Sequence, residues 1–143
     1  MLDIGSTREM TMTPNQEKAA ESCLLGAETN TMTFPEIVHT LTREGFESYA
    51  IDFRRGRAIY YLPDGQSVEY PTHSSLSVAV NFDAGAIQAA IREAQQLVPG
   101  YTYNGFCQKI ARAGCSGYVV SFAGRRAVYM GRTAETHVEH FPS

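Results

Sequence analysis

Residues able to do chemistry gather toward the C-terminal end of the chain. His137, Glu139 and His140 stand in the run HVEH, with Cys115, Arg132 and Glu135 upstream. A thiol, an imidazole and carboxylates are the material of nucleophilic catalysis, in which the imidazole takes the thiol proton and a carboxylate orients the imidazole. Cys115, Arg132, Glu135, His137 and Glu139 are therefore the candidate catalytic set of a small hydrolase or transferase. Cys115, however, follows Gly114 just past a predicted helix C-terminus, where the negative end of the dipole disfavours a thiolate. A small buried apolar residue is the plainer reading of it. On a strand, His137 and Glu139 share one face while His140 takes the other, which separates the imidazoles. A metal would need a third ligand such as Glu135 or His73; no metal and no other cofactor is expected.

Arginines cluster at turns: Arg54, Arg55 and Arg57 in one stretch, Arg125, Arg126 and Arg132 in another. With Tyr60, Tyr61, Tyr118 and Tyr129 close in sequence, they offer guanidinium and aromatic surfaces suited to a phosphate, a nucleobase or an acidic segment. Arg54, Arg57, Arg126, Arg132 and Tyr129 are the candidate ligand-binding residues. The plainer reading is charged hairpin tips that keep a sheet soluble. Gly114 and Gly117 are spaced too closely for a phosphate loop and open a strand, not a helix. The net charge of -3 gives no general attraction to nucleic acid or to an anionic membrane. Neither is an expected partner.

What must position these residues is a stretch that the chain uses twice. Laid over each other at a constant offset of 69 residues, Thr33–Tyr61 and Thr102–Met130 align without a gap. Thr33, Gly45, Tyr49, Phe53, Arg57 and Tyr60 fall on Thr102, Gly114, Tyr118, Phe122, Arg126 and Tyr129. Ile37, Leu41, Ile51 and Ile59 fall on Phe106, Ile110, Val120 and Val128, while Cys107 answers Val38 and Cys115 answers Phe46. This is an internal duplication. An extra residue in the final turn is expected to shift the offset, so that Val138-Glu139 answers Val68-Glu69.

The elements follow in order. Met1 to Met12 is polar and aperiodic and reads as a mobile tail. Thr13-Pro14-Asn15-Gln16 opens a helix with a capping box, and Gly26 reads as its stop. Thr33 to Glu36 caps a second helix, ended by Gly45. Strands are expected at Ser48 to Phe53, Ala58 to Leu62 and Ser67 to Tyr70, with Pro63-Asp64-Gly65 as a turn. Leu76 to Phe82 alternates and fits either a strand or an extended linker on the core. Asp83 caps a third helix with Ile87, Ala90, Ile91, Ala94 and Leu97 as its buried stripe. Helix Tyr103 to Ala113, strands Gly117 to Phe122 and Arg126 to Met130, and a last strand His137 to Phe141 complete the second copy.

Each half is thus helix, helix, strand, strand, strand. The fold class is α+β, an internally duplicated unit of antiparallel meanders with helices on one face. Residues 13–143 are expected to form a single domain of two pseudo-repeats, about 13–71 and 83–142, sharing one core, because halves of about 70 residues are marginal alone. Whether the strands merge into one sheet or form two is left open by the sequence. Three cysteines without a CxxC spacing read as reduced thiols, and no secretory signal opens the chain, so a cytoplasmic location is expected. No apolar run approaches the roughly 18 residues of a membrane span. A free sheet edge invites self-association, and a homodimer is the expected state.

Several runs carry a family resemblance. Phe34-Pro35-Glu36, Glu47-Ser48-Tyr49 with Asp52-Phe53, Tyr60 to Pro63 with Gly65, and Ala113-Gly114-Cys115 with Gly117-Tyr118 are the first of these. The most specific is the final run, Tyr129 with Gly131-Arg132-Thr133, Glu135, His137-Val138-Glu139 and Phe141-Pro142. From Asn15 onward the chain resembles the small YbcV-like proteins, bacterial and prophage-associated, labelled phage envelope proteins. The resemblance implies a prophage origin and brings no activity with it. The leading expectation is a non-enzymatic binding or assembly module. A small enzyme with the C-terminal Cys/Arg/His/Glu site is the alternative, and a nucleic-acid or phosphate binder acting through the arginine turns is the further one.

Overall fold

The computed structural model describes residues 11–142. The first half runs α1 (Pro14–Glu28), α2 (Phe34–Arg43), β1 (Ser48–Asp52), β2 (Arg57–Tyr61) and β3 (Ser67–Pro71). The second runs α3 (Ala84–Gln96), α4 (Tyr103–Arg112), β4 (Cys115–Ser121), β5 (Arg126–Gly131) and β6 (Thr136–His140). Helix starts are set by side-chain acceptors that satisfy backbone N–H groups left over in the first turn. Thr13 with Gln16 and Thr33 with Glu36 form full capping boxes. Thr102 caps α4 alone, because Gly105 stands where the first copy has Glu36.

All six strands join one antiparallel sheet in the order β3-β2-β1-β4-β5-β6. The halves meet at β1 and β4. Ala50 lies opposite Val119, its own counterpart, flanked by Tyr49 opposite Val120 and Ile51 opposite Tyr118. The 69-residue offset exchanges the two flanking pairs, so an approximate two-fold axis passes between Ala50 and Val119. Buried side chains alternate with half-buried or exposed ones along β1, β2 and β5. The buried set faces the helices, with α1 over β3, α4 over β4 and α3 over β6. A single hydrophobic cluster draws on both halves. On the outer face, Ile59, Ala50, Val119, Val128 and Val138 form an apolar row across five strands.

Several expectations need correcting. The offset does not shift before the last strand: Tyr60 pairs with Val68, and Tyr129 pairs with His137. The two turns close alike, with Leu62 N–H donating to Gln66 O and Gly131 N–H to Glu135 O. Ala134 takes the left-handed conformation that Gly65 takes in the first copy, so no extra residue is accommodated. His137 and Glu139 therefore answer Val68 and Tyr70. Gly26 does not stop α1; it lies within the helix, where a Cβ would sit 2.5 Å from Met32 Cγ, so its role is close packing. Leu97 leaves the buried stripe, as the left-handed C-cap of α3, and is 57% exposed.

Leu76 to Phe82 forms no strand and is the extended linker, pinned by Ala79 N–H to Ala111 O and Asp83 N–H to Ala113 O. The tail expected over Met1 to Met12 falls mostly outside the described residues. Met12 is within them, buried, with its N–H donating to Gln66 Oε1 at 2.7 Å. Among the described residues no helix is long and apolar enough to cross a membrane.

Candidate functional site

A cavity of about 820 Å³ separates the sheet from the helices. Its floor is the inner face of the sheet, where Tyr49, Tyr60, Tyr118 and Tyr129 line it. These are two duplicated pairs, with ring centroids 5.5 Å apart for Tyr49–Tyr60 and 5.1 Å for Tyr118–Tyr129. Tyr49 and Tyr118 meet edge-on across the approximate axis. Cys23, Leu24, Ile37, Ile91 and Phe106 close the space from the helix side. Exposed or half-buried Phe34, Leu97, Pro99 and Phe141 also border it. Phe34 meets Phe141 edge-to-face at 5.6 Å, so the entry to α2 and the residue after β6 touch across the halves.

The floor is apolar in its rings and polar at its hydroxyls. Tyr103 and Tyr118 share a hydrogen bond of 2.7 Å between their hydroxyls, and Tyr103 N–H donates to Asn30 Oδ1. Tyr60 and Tyr129 hydroxyls make no hydrogen bond among the described residues, yet no fully enclosed polar side-chain atom lacks a partner, so both reach open space. Burial first, then neighbouring phenols and thiols, pushes Tyr49 and Tyr118 well above the ordinary phenol range. Burial does the same at Tyr60 and Tyr129. The hydroxyls stay neutral and serve as donors or acceptors.

β6 sets a histidine and a glutamate beside this floor. His137 lies opposite Tyr129, and Glu139 opposite Ala127. His137 Nε2 and Glu139 Oε1 are 3.1 Å apart, with side chains 17% and 26% exposed. Glu139 lines the cavity, as does His140 beyond it. The first copy has Val68 and Tyr70 at the two inward positions, and Tyr70 OH donates to Glu17 O on α1. The duplication also supplies a counterpart to the border of the cavity. Glu28, Thr72, His73, Tyr103 and Asn104 answer Leu97, Phe141, Pro142, Phe34 and Pro35 at the same offset. They surround a recess of only about 30 Å³, drawn shut by His73 N–H donating to Glu28 Oε2 at 2.6 Å. One of two equivalent places is open and the other closed.

Of the five candidate catalytic residues, only His137 and Glu139 touch. Cys115 is fully buried opposite Gly131, its thiol donating to Gly117 O at 3.3 Å, and burial pushes it up to about 11. Arg132 Nη1 donates to Val78 O. Glu135 is exposed, its carboxyl held below the usual range chiefly by the Thr133 hydroxyl. Neither Cys115, Arg132 nor Glu135 lines the cavity. Among the candidate ligand-binding residues, Tyr129 is in the floor. The arginine turns do not form one patch. Asp52 lies opposite Gly117 and Ser48 opposite Ser121, so the turn after β1 and the turn after β4 stand at opposite ends of the sheet. Arg57 is engaged by Glu69, Arg126 Nε donates to Gly124 O, and Arg54 is exposed at its turn. Among the described residues no group of three or more His, Cys, Asp or Glu is placed to hold a metal.

Sequence reasoning placed Tyr60, Tyr118 and Tyr129 beside the arginine turns and did not single out Tyr49, so it missed the four as one cavity floor. Their signal was tyrosine, rather than phenylalanine or leucine, repeated at inward strand positions, since a buried phenol brings a polar tip that needs a partner or space.

Fold and site together define a duplicated two-layer α+β protein with a tyrosine-floored cavity between its layers. Residues 23–139 match the family described as "Protein of unknown function (DUF1398)", and the chain belongs to that family. Comparison with curated proteins gives no match.

Proposed function

We propose that the protein is a non-enzymatic binding module that holds a small, largely apolar molecule between its sheet and helices. The reading rests on the cavity: about 820 Å³ lies within the roughly 300–1,000 Å³ of small-molecule sites, whereas its duplicated counterpart is about 30 Å³. The separation of Cys115 from His137 supports a binding rather than a catalytic role. Phenylbutanol, a neutral amphiphile, should bind saturably by calorimetry, and Ala94→Phe, which puts a ring into the cavity from α3, should abolish it. Phenylbutanol that fails to bind, or binds the variant unchanged, rules the reading out.

A second reading, assembly, is favoured by the outer apolar row. Six strands of about five residues span roughly 29 Å by 17 Å. Two copies packed face to face would remove on the order of 1,000 Å² from water, the lower bound for a specific interface. The partner is a second copy of this chain, giving a homodimer. Val119→Lys at the centre of the row should then yield a monomer by light scattering; a wild type already monomeric at high concentration defeats the reading. Its setting in both readings is a reducing bacterial cytoplasm, on the strength of three unpaired buried thiols, with a prophage origin suggested by the final run Tyr129 to Pro142. Recovery of a disulfide-linked form from cells would contradict that setting.

A further inference from the structure

The lining of the cavity narrows the class of ligand. Glu139 is its one carboxylate, and the lining contains no lysine or arginine. Its Oε1 faces His137 Nε2, and its Oε2 has no protein partner among the described residues. A ligand that enters beside Glu139 strips water from a carboxylate, which is unfavourable unless the ligand supplies a donor or a positive charge in return. The floor presses the same way. Tyr49, Tyr60, Tyr118 and Tyr129 line it, and the neutral hydroxyls of Tyr60 and Tyr129, which no protein group engages among the described residues, can accept from a ligand N–H. A ligand carboxylate would meet Glu139 with like charge and find no lysine or arginine in the lining.

The duplication shows that this chemistry belongs to the open copy alone. At the closed copy the two inward positions are Val68 and Tyr70, with the Tyr70 hydroxyl already spent on Glu17 O. The open copy replaces them with a hydrogen-bonded histidine and carboxylate and leaves an acceptor facing the space. Resting on the binding reading above, we infer that the ligand is a small amine: an apolar, preferably aromatic body on the tyrosine floor, with a protonated nitrogen received by Glu139. His137 is a positioning residue that fixes the carboxylate.

The test is calorimetry on the full chain with three probes sharing one body: phenylbutylamine, phenylbutanol and phenylbutyrate. The amine should bind roughly tenfold or more tightly than the alcohol, as a charge-assisted hydrogen bond implies, and the carboxylate most weakly. Glu139→Gln should remove the preference for the amine, bringing its affinity to that of phenylbutanol for the same variant. If the alcohol binds as tightly as the amine, or the preference survives Glu139→Gln, the amine assignment is wrong and the cavity still binds. If none of the three binds, the binding reading fails and the assignment falls with it.

Discussion

Burial decides what the cysteines can do. Cys23, Cys107 and Cys115 are all enclosed, and burial pushes their thiols up to about 11, about 12 and about 11 from an ordinary 9.0. Near pH 8 such thiols are ionised to roughly a thousandth or less, and the thiolate is the reactive form. None of the three should react with a disulfide reagent in minutes without denaturant; rapid labelling of Cys115 would reopen the nucleophile reading. The same shifts bear on stability. A folded chain that keeps protons the unfolded chain gives up loses ground as pH rises. The thiol contribution is whole below pH 9.0 and disappears toward about 11 to 12, with the buried tyrosines following at higher pH. The urea midpoint should therefore fall steadily above pH 9; a flat midpoint through pH 11 would contradict it. The sequence showed Cys107 and Cys115 as core through their apolar counterparts Val38 and Phe46. It could not show that Glu139 borders empty space, because a void depends on how far apart two layers are held.

Turns and caps are the elements that the sequence declared most openly, because each rests on one residue's local chemistry. Thr13, Thr33, Thr102 and Asp83 all cap as their residue types require. Gly45 and Gly114 both take positive φ at the ends of their helices. Gly114 is doubly required, since a Cβ would also lie 2.1 Å from Asn81 O in the linker. Gly114→Ala should destabilise the fold by ~3 kcal/mol in urea denaturation, more than backbone strain alone. The β5–β6 turn offers the opposite experiment. Ala134 holds φ 70 where its counterpart Gly65 holds φ 95 with nothing near its missing Cβ. Ala134→Gly should raise stability by ~1 kcal/mol, relieving left-handed strain at an exposed position; an unchanged or lowered midpoint would refute it. Matching the identical pairs Val68-Glu69 and Val138-Glu139 misplaces the last strand by one residue, because chance identity outweighs a constant offset that only the pairing register reveals. Gly26 and Leu97 misled for a related reason, as tertiary packing rather than local preference fixed their roles.

The duplication made the whole molecule legible down to its element order, but one sheet against two was decided by a single contact between strands far apart in sequence. β1 and β4 pair about Ala50 and Val119, each presenting the edge that its own half leaves bare. Neither half covers its inner face alone: the core cluster, the tyrosine floor and the Phe34–Phe141 contact all draw on both. Fragments 11–74 and 75–142 should thus show no cooperative unfolding separately, because each buries too little apolar area for its length. Mixed at equal concentration, they should recover the near-ultraviolet tyrosine signal of the intact chain, since the register that joins them lies in the strands and not in the linker. The first fragment alone has one further option. Because the axis passes beside Ala50, a second β1 can take the place of β4, with Ala50 facing Ala50, so any folded form of that fragment should be a dimer. A fragment that unfolds cooperatively as a monomer would show that the halves are independent domains, and that the cavity between the layers is a product of docking rather than of one shared fold.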